Sequence, residues 1–304
     1  MKNKVHIQKP NHRLLNNLGG TVVDMHFHTK YSDGSATIDS LIRRAKKLGI
    51  GVAVTDHNEV AGAVEAFNNN EGVLVIPGIE VSCIEGPHIL LYFYDIRELV
   101  LFFENFLKEK KNGNPYMAVE ATVEEVLKES SKYKCFKVAA HPFGYMAANC
   151  GLLKAVRKKY IADDVLKKID GVEVLCGAMN RYLNKRAQVY AESYGTLYTG
   201  GSDGHCLFQL GQVVTVGKGK TVAEFLDSLK DKENLVVGRE ARSIPKVISV
   251  GKCVGAHMHY AYPSVKIQSR MFYSRTVHFR KAITGKIFNN GVAKKIGKAA
   301  FRRL

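Results

Sequence analysis

Two histidines stand one residue apart at the end of an apolar run, in TVVDMHFHTKYSDG (Thr21 to Gly34), with an aspartate five residues further on. Val22, Val23 and Met25 cluster just after the Gly19-Gly20 breaker, which predicts a buried strand from Thr21 to Met25. Residues two apart in a strand point to the same side, so His26 and His28 share a face. Adjacent imidazoles repel when protonated and need partners when buried. A divalent cation meets both needs, because neutral imidazole ligates Zn, Fe or Mn. The alternative is a pair of half-exposed histidines at a strand end.

The same residue types recur at the ends of later apolar runs. Asp56-His57 closes GVAVTDHN, Glu80 lies late in VLVIPGIEVS, and His88 opens HILLYFYD. His141 follows KVAA, and Asp203 and His205 close LYTGGSDGH. Singly, each has an ordinary reading as a capping acid or a satisfied histidine. Together His26, His28, Asp33, His57, Glu80, His88, His141, Asp203 and His205 exceed the roughly four to six donors that one metal takes. A polynuclear cluster is the expectation.

The elements that must position them alternate along the chain. Helical spacing is expected over Thr37–Leu48, Val60–Asn68, Ile96–Lys110, Thr122–Ser131 and Asn180–Tyr194, and over TVAEFLDSL after the GKGK turn. Short strands fall between them, ending with QVVTV (Gln212 to Val216), and residues 144–169 read as an insert. This alternation predicts parallel strands with right-handed crossovers, and seven or eight such units favour a closed (β/α) barrel. The C-terminal strand ends of such a barrel converge on one mouth, where the nine residues would meet. GKGK itself, Gly217 to Lys220, lacks the spacing of a phosphate-binding P-loop.

Three divisions follow: a lead-in over 1–20, a catalytic body over 21–240 and a basic extension over 241–304. The body has 31 Lys+Arg against 28 Asp+Glu counted from residue 1 to 240, whereas 241–304 has 14 Lys+Arg and no acid, so the net charge of +17 divides as +3 and +14. From His278 to Leu304, Phe279, Ile283, Ile287, Val292, Ile296 and Ala300 recur near helical spacing among Lys and Arg. Gly285, Gly291 and Gly297 weaken such a helix by about 1 kcal/mol each. That segment is expected to bind an anionic membrane surface or nucleic acid, or else to dock as a helix on a partner. Six cysteines without a C-x-x-C pair argue against a zinc ribbon and for reduced thiols. No apolar signal core opens the chain and no run is long enough to span a membrane, so a cytoplasmic protein is expected, with peripheral membrane or nucleic-acid association through the tail.

H-F-H…S-D-G at His26–Gly34, T-D-H-N at Thr55–Asn58, G-I-E at Gly78–Glu80, A-H-P at Ala140–Pro142 and S-D-G-H at Ser202–His205 resemble the polymerase and histidinol phosphatase (PHP) family, in its motif order. The resemblance covers about residues 21–240. It implies an α/β fold, a distorted (β/α)7 TIM-like barrel, with two or three divalent transition-metal ions (Mn, Zn or Fe) at the mouth. Carried over by position, one metal would take His26, His28, Glu80 and Asp203. A second would share Glu80 and add His88 and His141, and a third would take Asp33, His57 and His205. Asp33 stands where some members have histidine. His257 and His259 would enter only if the tail folded back over the mouth, and they fall outside the implied set.

Such a site suits phosphate. Three dications would leave the mouth net positive, and a water shared by two metals becomes a hydroxide aimed at phosphorus while a metal neutralises the departing oxygen. Hydrolysis of a phosphate ester is the expected reaction. Asp56, beside His57, is expected to orient a ligand, and Arg181 and Lys30 to approach a phosphate oxygen, the alternative for both cations being a solvated charge. Cys206, beside His205, reads as inert. The substrate would be a phosphorylated small molecule, a nucleotide or an oligonucleotide. A histidinol-phosphate-type phosphatase needs no basic tail, whereas an oligonucleotide enzyme would gain from one. A metal-stabilised module without turnover, binding nucleic acid or membrane through its tail, and an amidohydrolase-like enzyme are the competing classes.

Overall fold

In the computed structural model, ten strands join in one mixed sheet, in the order β1-β10-β9-β2-β3-β4-β5-β6-β7-β8. The structure describes residues 4–144, 150–241, 251–252, 254–255 and 257–289. The strands are β1 (Val5–Ile7), β2 (Thr21–Phe27), β3 (Gly51–Val54), β4 (Val75–Ser82), β5 (His88–Phe93), β6 (Cys135–Ala139), β7 (Gly171–Cys176), β8 (Leu197–Gly201), β9 (Val213–Gly217) and β10 (Leu235–Gly238). The sheet curls until the end of β8 meets β2. Asp203 N–H donates to the His26 carbonyl at 2.8 Å, and His28 N–H to the Gly204 carbonyl at 2.9 Å. A Cβ on Gly201 would lie 2.4 Å from that of His26, so only glycine permits this approach.

The expected all-parallel pairing holds for β2–β3–β4 and β6–β7–β8. It fails at β5, which runs antiparallel to both neighbours, and at β9, antiparallel to β2 and β10. The reason at β5 is chain length. Only Cys83–Pro87 separates β4 from β5, too short for a crossover helix, and the turn closes with Gly86 N–H on the Cys83 carbonyl at 2.8 Å. The lead-in also carries order: β1 pairs in parallel with β10.

Helix ends follow their caps. Thr37 accepts from Ser40 N–H to start Ile38–Leu48, which Gly49 ends in the left-handed conformation. Thr122 with Glu125 and Thr221 with Glu224 form capping boxes at Val123–Ser130 and Val222–Lys230. Alternate strand residues then separate into two apolar layers. Ala53, Ile76, Leu90, Tyr92, Phe136 and Val138 form one, and Val52, Val54, Val75, Ile79 and Leu91 belong to the other. Glu80 continues the Ile76 side of β4 and so lies where the first layer runs out at the strand ends.

A long helix, Ala261–Asn289, covers part of the 241–304 segment. Ile267 and Met271 are buried against Ala118, with Ile84 and Met117 alongside. Arg275 donates from Nε to the Glu85 carbonyl at 2.7 Å. This stretch is docked on the barrel. Of the spaced apolar positions named in the tail, Val292, Ile296 and Ala300 lie outside the described residues.

Glu85 gives a pH prediction. Its carboxylate accepts Val123 N–H at 3.0 and 3.2 Å, and burial pushes it up to about 7, partly offset by those bonds and by Arg275. Between its ordinary range and pH 7 the folded chain keeps a proton that the unfolded chain has released. Stability from this group therefore falls as pH rises through that window, by up to about 3 kcal/mol. Glu85→Gln, always neutral, should gain that amount on the wild type between pH 5 and pH 8 in urea unfolding. A stability difference that does not change with pH would refute it.

Candidate metal centre

Each ligand-type side chain leaves the end of a strand or the turn after it. His26 is the last residue but one of β2 and His28 and Asp33 follow in its loop, Glu80 lies near the end of β4, and His88 opens β5. His57, His141, Asp203 and His205 follow β3, β6 and β8. All nine are buried. His141 and Asp203 have φ of +28° and +49°, in a region that non-glycine residues seldom occupy, and the strain falls where side chains are aimed inward.

Glu80 is the hub. Its Oε2 lies 3.3 Å from His26 Nε2, 3.3 Å from His28 Nε2 and 3.1 Å from His57 Nδ1, and its Oε1 lies 3.1 Å from His88 Nδ1 and 3.0 Å from His141 Nε2. Asp203 Oδ1 is 3.2 Å from His28 Nε2 and 3.6 Å from His26 Nε2. Asp33 Oδ1 is 3.2 Å from His205 Nε2, and Asp33 Oδ2 is 4.0 Å from His57 Nε2. Three groupings have donor atoms close enough to enclose an ion: His28, Asp33, His57 and His205; His26, His28 and Asp203; and His57, Glu80 and His88.

Charges of both signs are coupled here: the carboxylates outweigh burial and raise His26 and His141, so a bound cation would displace protons from those rings. Burial alone would raise the Glu80 and Asp203 carboxyls, yet the imidazoles around them hold both well below the usual range. Burial drives His57 down to about 3, which keeps the ring neutral and able to ligate. His28 Nδ1, Asp33 Oδ1 and Glu80 Oε2 are buried polar atoms without a hydrogen bond of good geometry. Such orphaned atoms are costly in a protein interior, and a bound cation would satisfy them. The residues fit a multinuclear divalent-metal site.

The supporting residues were largely unmarked in the sequence. Glu173 in β7 accepts from His26 Nδ1 at 3.0 Å and from His141 N–H at 2.8 Å, which leaves His26 Nε2 facing the cluster. Its one sequence signal is a carboxylate inside the apolar run GVEVLC. His205 Nδ1 lies 3.1 Å from the Asp203 carbonyl, so Nε2 faces Asp33. Asp56, expected to orient a ligand, has its hydrogen bonds on the turn after His28 and not on His57. It accepts from Thr29 N–H at 2.7 Å, Thr29 Oγ1 at 2.6 Å and Ser32 Oγ at 2.5 Å, and so fixes the turn between His28 and Asp33. Arg181 is exposed and held by Glu240 at 2.7 and 2.8 Å instead of reaching toward the cluster. Lys30 lies over the Tyr31 ring. Cys206 is buried, and with Cys83, Cys135, Cys150 and Cys176 it is a free thiol. Among the described residues no helix is long and apolar enough to cross a membrane.

One residue set aside on the sequence is present. His257 reaches over the mouth, its Nε2 3.7 Å from Asp33 Oδ2.

Comparison with known proteins sets this geometry in a family. Residues 72 long in extent are 33% identical to the 5'-3' exoribonuclease Rnm of Escherichia coli, 22% of this chain and 25% of that protein. A 64-residue stretch is 39% identical to phosphoribosyl 1,2-cyclic phosphate 1,2-diphosphodiesterase of Eggerthella lenta, 20% of this chain and 24% of that protein. The chain thus spans about a quarter of the length of these relatives. The lesion-specific endonuclease from Pyrococcus furiosus superposes with a TM-score of 0.56 at 19% identity, over 71% of this chain and 57% of that one. A two-domain protein with a PHP-like metal-dependent phosphoesterase from Bacteroides vulgatus superposes at 0.52 with 16% identity, over 83% and 74%. These likenesses show the fold. A PHP-associated family matches residues 181–234. The PHP domain family matches residues 24–183, more than half of the chain and the stretch that supplies all but two of the nine clustered side chains, and to that family the chain belongs.

Proposed function

We propose that the protein is a metal-dependent phosphoesterase whose mouth holds three divalent ions and whose substrate is a nucleic-acid phosphodiester. One observation carries the reading: Glu80 lies within 3.3 Å of five imidazoles, at a buried site with orphaned ligand atoms. Bound there, divalent ions would supply Lewis acidity and lower the pKa of water enough to give a nucleophile at neutral pH. The chain's own part is to hold the ligands. Glu173 fixes His26 and the His141 backbone, the Asp203 carbonyl fixes His205, and Asp56 ties down the turn that carries Asp33. Oligonucleotide is favoured over a small monoester by the acid-free 241–304 segment with its 14 cations. The activities of the E. coli exoribonuclease and the P. furiosus endonuclease point the same way.

The test is a substrate screen with added Mn, Zn or Fe across sugar, amino-alcohol and nucleotide monophosphates, a cyclic phosphodiester, and single- and double-stranded oligonucleotides. Turnover highest on oligonucleotides, and abolished by a chelator, is the expected result. Turnover confined to a small monoester would replace the substrate class. Metal uptake with no hydrolysis of any phosphate ester would leave a non-catalytic module.

A further inference from the structure

The histidine that the C-terminal segment brings over the mouth has a defined tautomer, and the neighbours that define it join two parts of the chain. Asn114 is fully buried. Its Oδ1 accepts from Tyr116 N–H at 3.1 Å, and a backbone N–H can only donate, so the amide orientation is settled. Asn114 Nδ2 then donates to His257 Nδ1 at 2.9 Å and to Ser264 Oγ at 2.9 Å. With Nδ1 accepting, the neutral ring carries its proton on Nε2, the atom that faces Asp33 Oδ2 at 3.7 Å. An Nε2–H cannot ligate a metal but can restrain a carboxylate. Tyr116 packs edge-on to His257, ring centres 5.7 Å apart, and limits rotation of the imidazole.

The same loop is tied to the ligand strands from the other side. Asn58, next to His57, donates from Nδ2 to the Pro115 and Met117 carbonyls at 3.1 and 2.8 Å, and accepts from Ser82 N–H at 2.9 Å. Residues 114–117 therefore bridge the strand ends that carry His57 and Glu80 to the segment that carries His257. We infer that the C-terminal extension completes the metal centre, with His257 as a positioning residue: its Nε2–H faces Asp33 Oδ2 at 3.7 Å, a charge–dipole contact longer than a hydrogen bond, and biases the carboxylate so that Oδ1 stays directed at the ion enclosed by Asp33, His57 and His205. Second-layer donors of this kind change metal affinity about 10- to 100-fold. The inference rests on the metal reading above.

Full-length wild type, His257→Phe and His257→Gln would be stripped with chelator and titrated with Mn2+ by calorimetry, with elemental analysis for the number of ions bound. Phe keeps the ring's bulk without the donor, and the Gln amide nitrogen reaches the place of Nε2. His257→Phe should weaken the last-bound ion about tenfold or more while leaving the tighter ions unchanged, and His257→Gln should restore it. Both variants lose the acceptor for the buried Asn114 amide and should melt slightly below the wild type by similar amounts, so the Phe and Gln variants are compared with each other for metal affinity. A His257→Phe isotherm like that of the wild type overturns the inference alone. A Gln variant as impaired as the Phe variant also overturns it, because the donor would then be irrelevant. A wild type that takes up no ion defeats the metal reading itself.

Discussion

Glu80→Gln is expected to strip the centre of most of its metal and to lower phosphate-ester turnover by about 10³-fold or more, roughly 4 kcal/mol of transition-state stabilisation. Among the described residues Glu80 is the one carboxylate within 3.3 Å of five imidazoles, its two oxygens divided between His26, His28 and His57 on one side and His88 and His141 on the other. An amide of the same shape removes the negative charge that offsets neighbouring cations. It also turns two N–H donors toward imidazole nitrogens that must stay free to ligate. The backbone of β4 is hydrogen-bonded on both edges, to β3 and β5, so the fold should persist. Elemental analysis, circular dichroism and turnover with saturating Mn2+ test these parts separately. Wild-type metal content with wild-type turnover would remove Glu80 from the centre.

How much of this was legible in the sequence depends on the range of the interaction. The strand-end placement of His26, His28, Glu80, His141 and Asp203 follows from local periodicity, because an apolar run that ends in ligand types needs no tertiary information to be seen. Helix ends were equally local: Thr37, Gly49, Thr122 and Asn180 mark them by side-chain capping or left-handed conformation. The antiparallel β5 could have been read from the five residues between β4 and β5, too few for a crossover. β1 and β10, three and four residues long, carry too little pattern to be seen alone, and each is stabilised by pairing with the other across the chain. Glu173 and Asn114 were invisible for a different reason. Their partners are 147 and 143 residues away, and one buried polar residue in an apolar run does not say what it faces. Asp56 is an intermediate case, legible as a carboxylate beside the candidate ligands but not as to which of them it supports. Neighbours in an extended chain point to opposite sides, so Asp56 turns from His57 to the turn between His28 and Asp33.

The C-terminal extension should divide into two functions at about residue 277, and two truncations separate them. A chain ending at residue 240 loses Ile267 and Met271, which bury the Ala118 face, as well as Arg275 on the Glu85 carbonyl and His257 over Asp33. Burial of two large apolar side chains is worth about 3 kcal/mol or more, so this cut should lower the melting temperature and weaken binding of one ion. A chain ending at residue 277 keeps all of those contacts and removes only residues 278–304, which carry eight Lys and Arg and no acid. Its melting temperature, metal content and turnover of a small phosphate ester should match the full chain. Its affinity for a single-stranded oligonucleotide should fall about tenfold or more at 0.1 M salt, with a shallower dependence of log K on log salt, because fewer phosphate counterions are released. Anionic and neutral vesicles in a sedimentation assay decide whether membrane surface is the target instead. Should the 277-residue chain bind oligonucleotide as tightly as the full one, nucleic-acid affinity would reside in the barrel mouth. Should the 240-residue chain melt and bind metal like the full one, the docked helix would be an ornament on a complete site, and His257 with it.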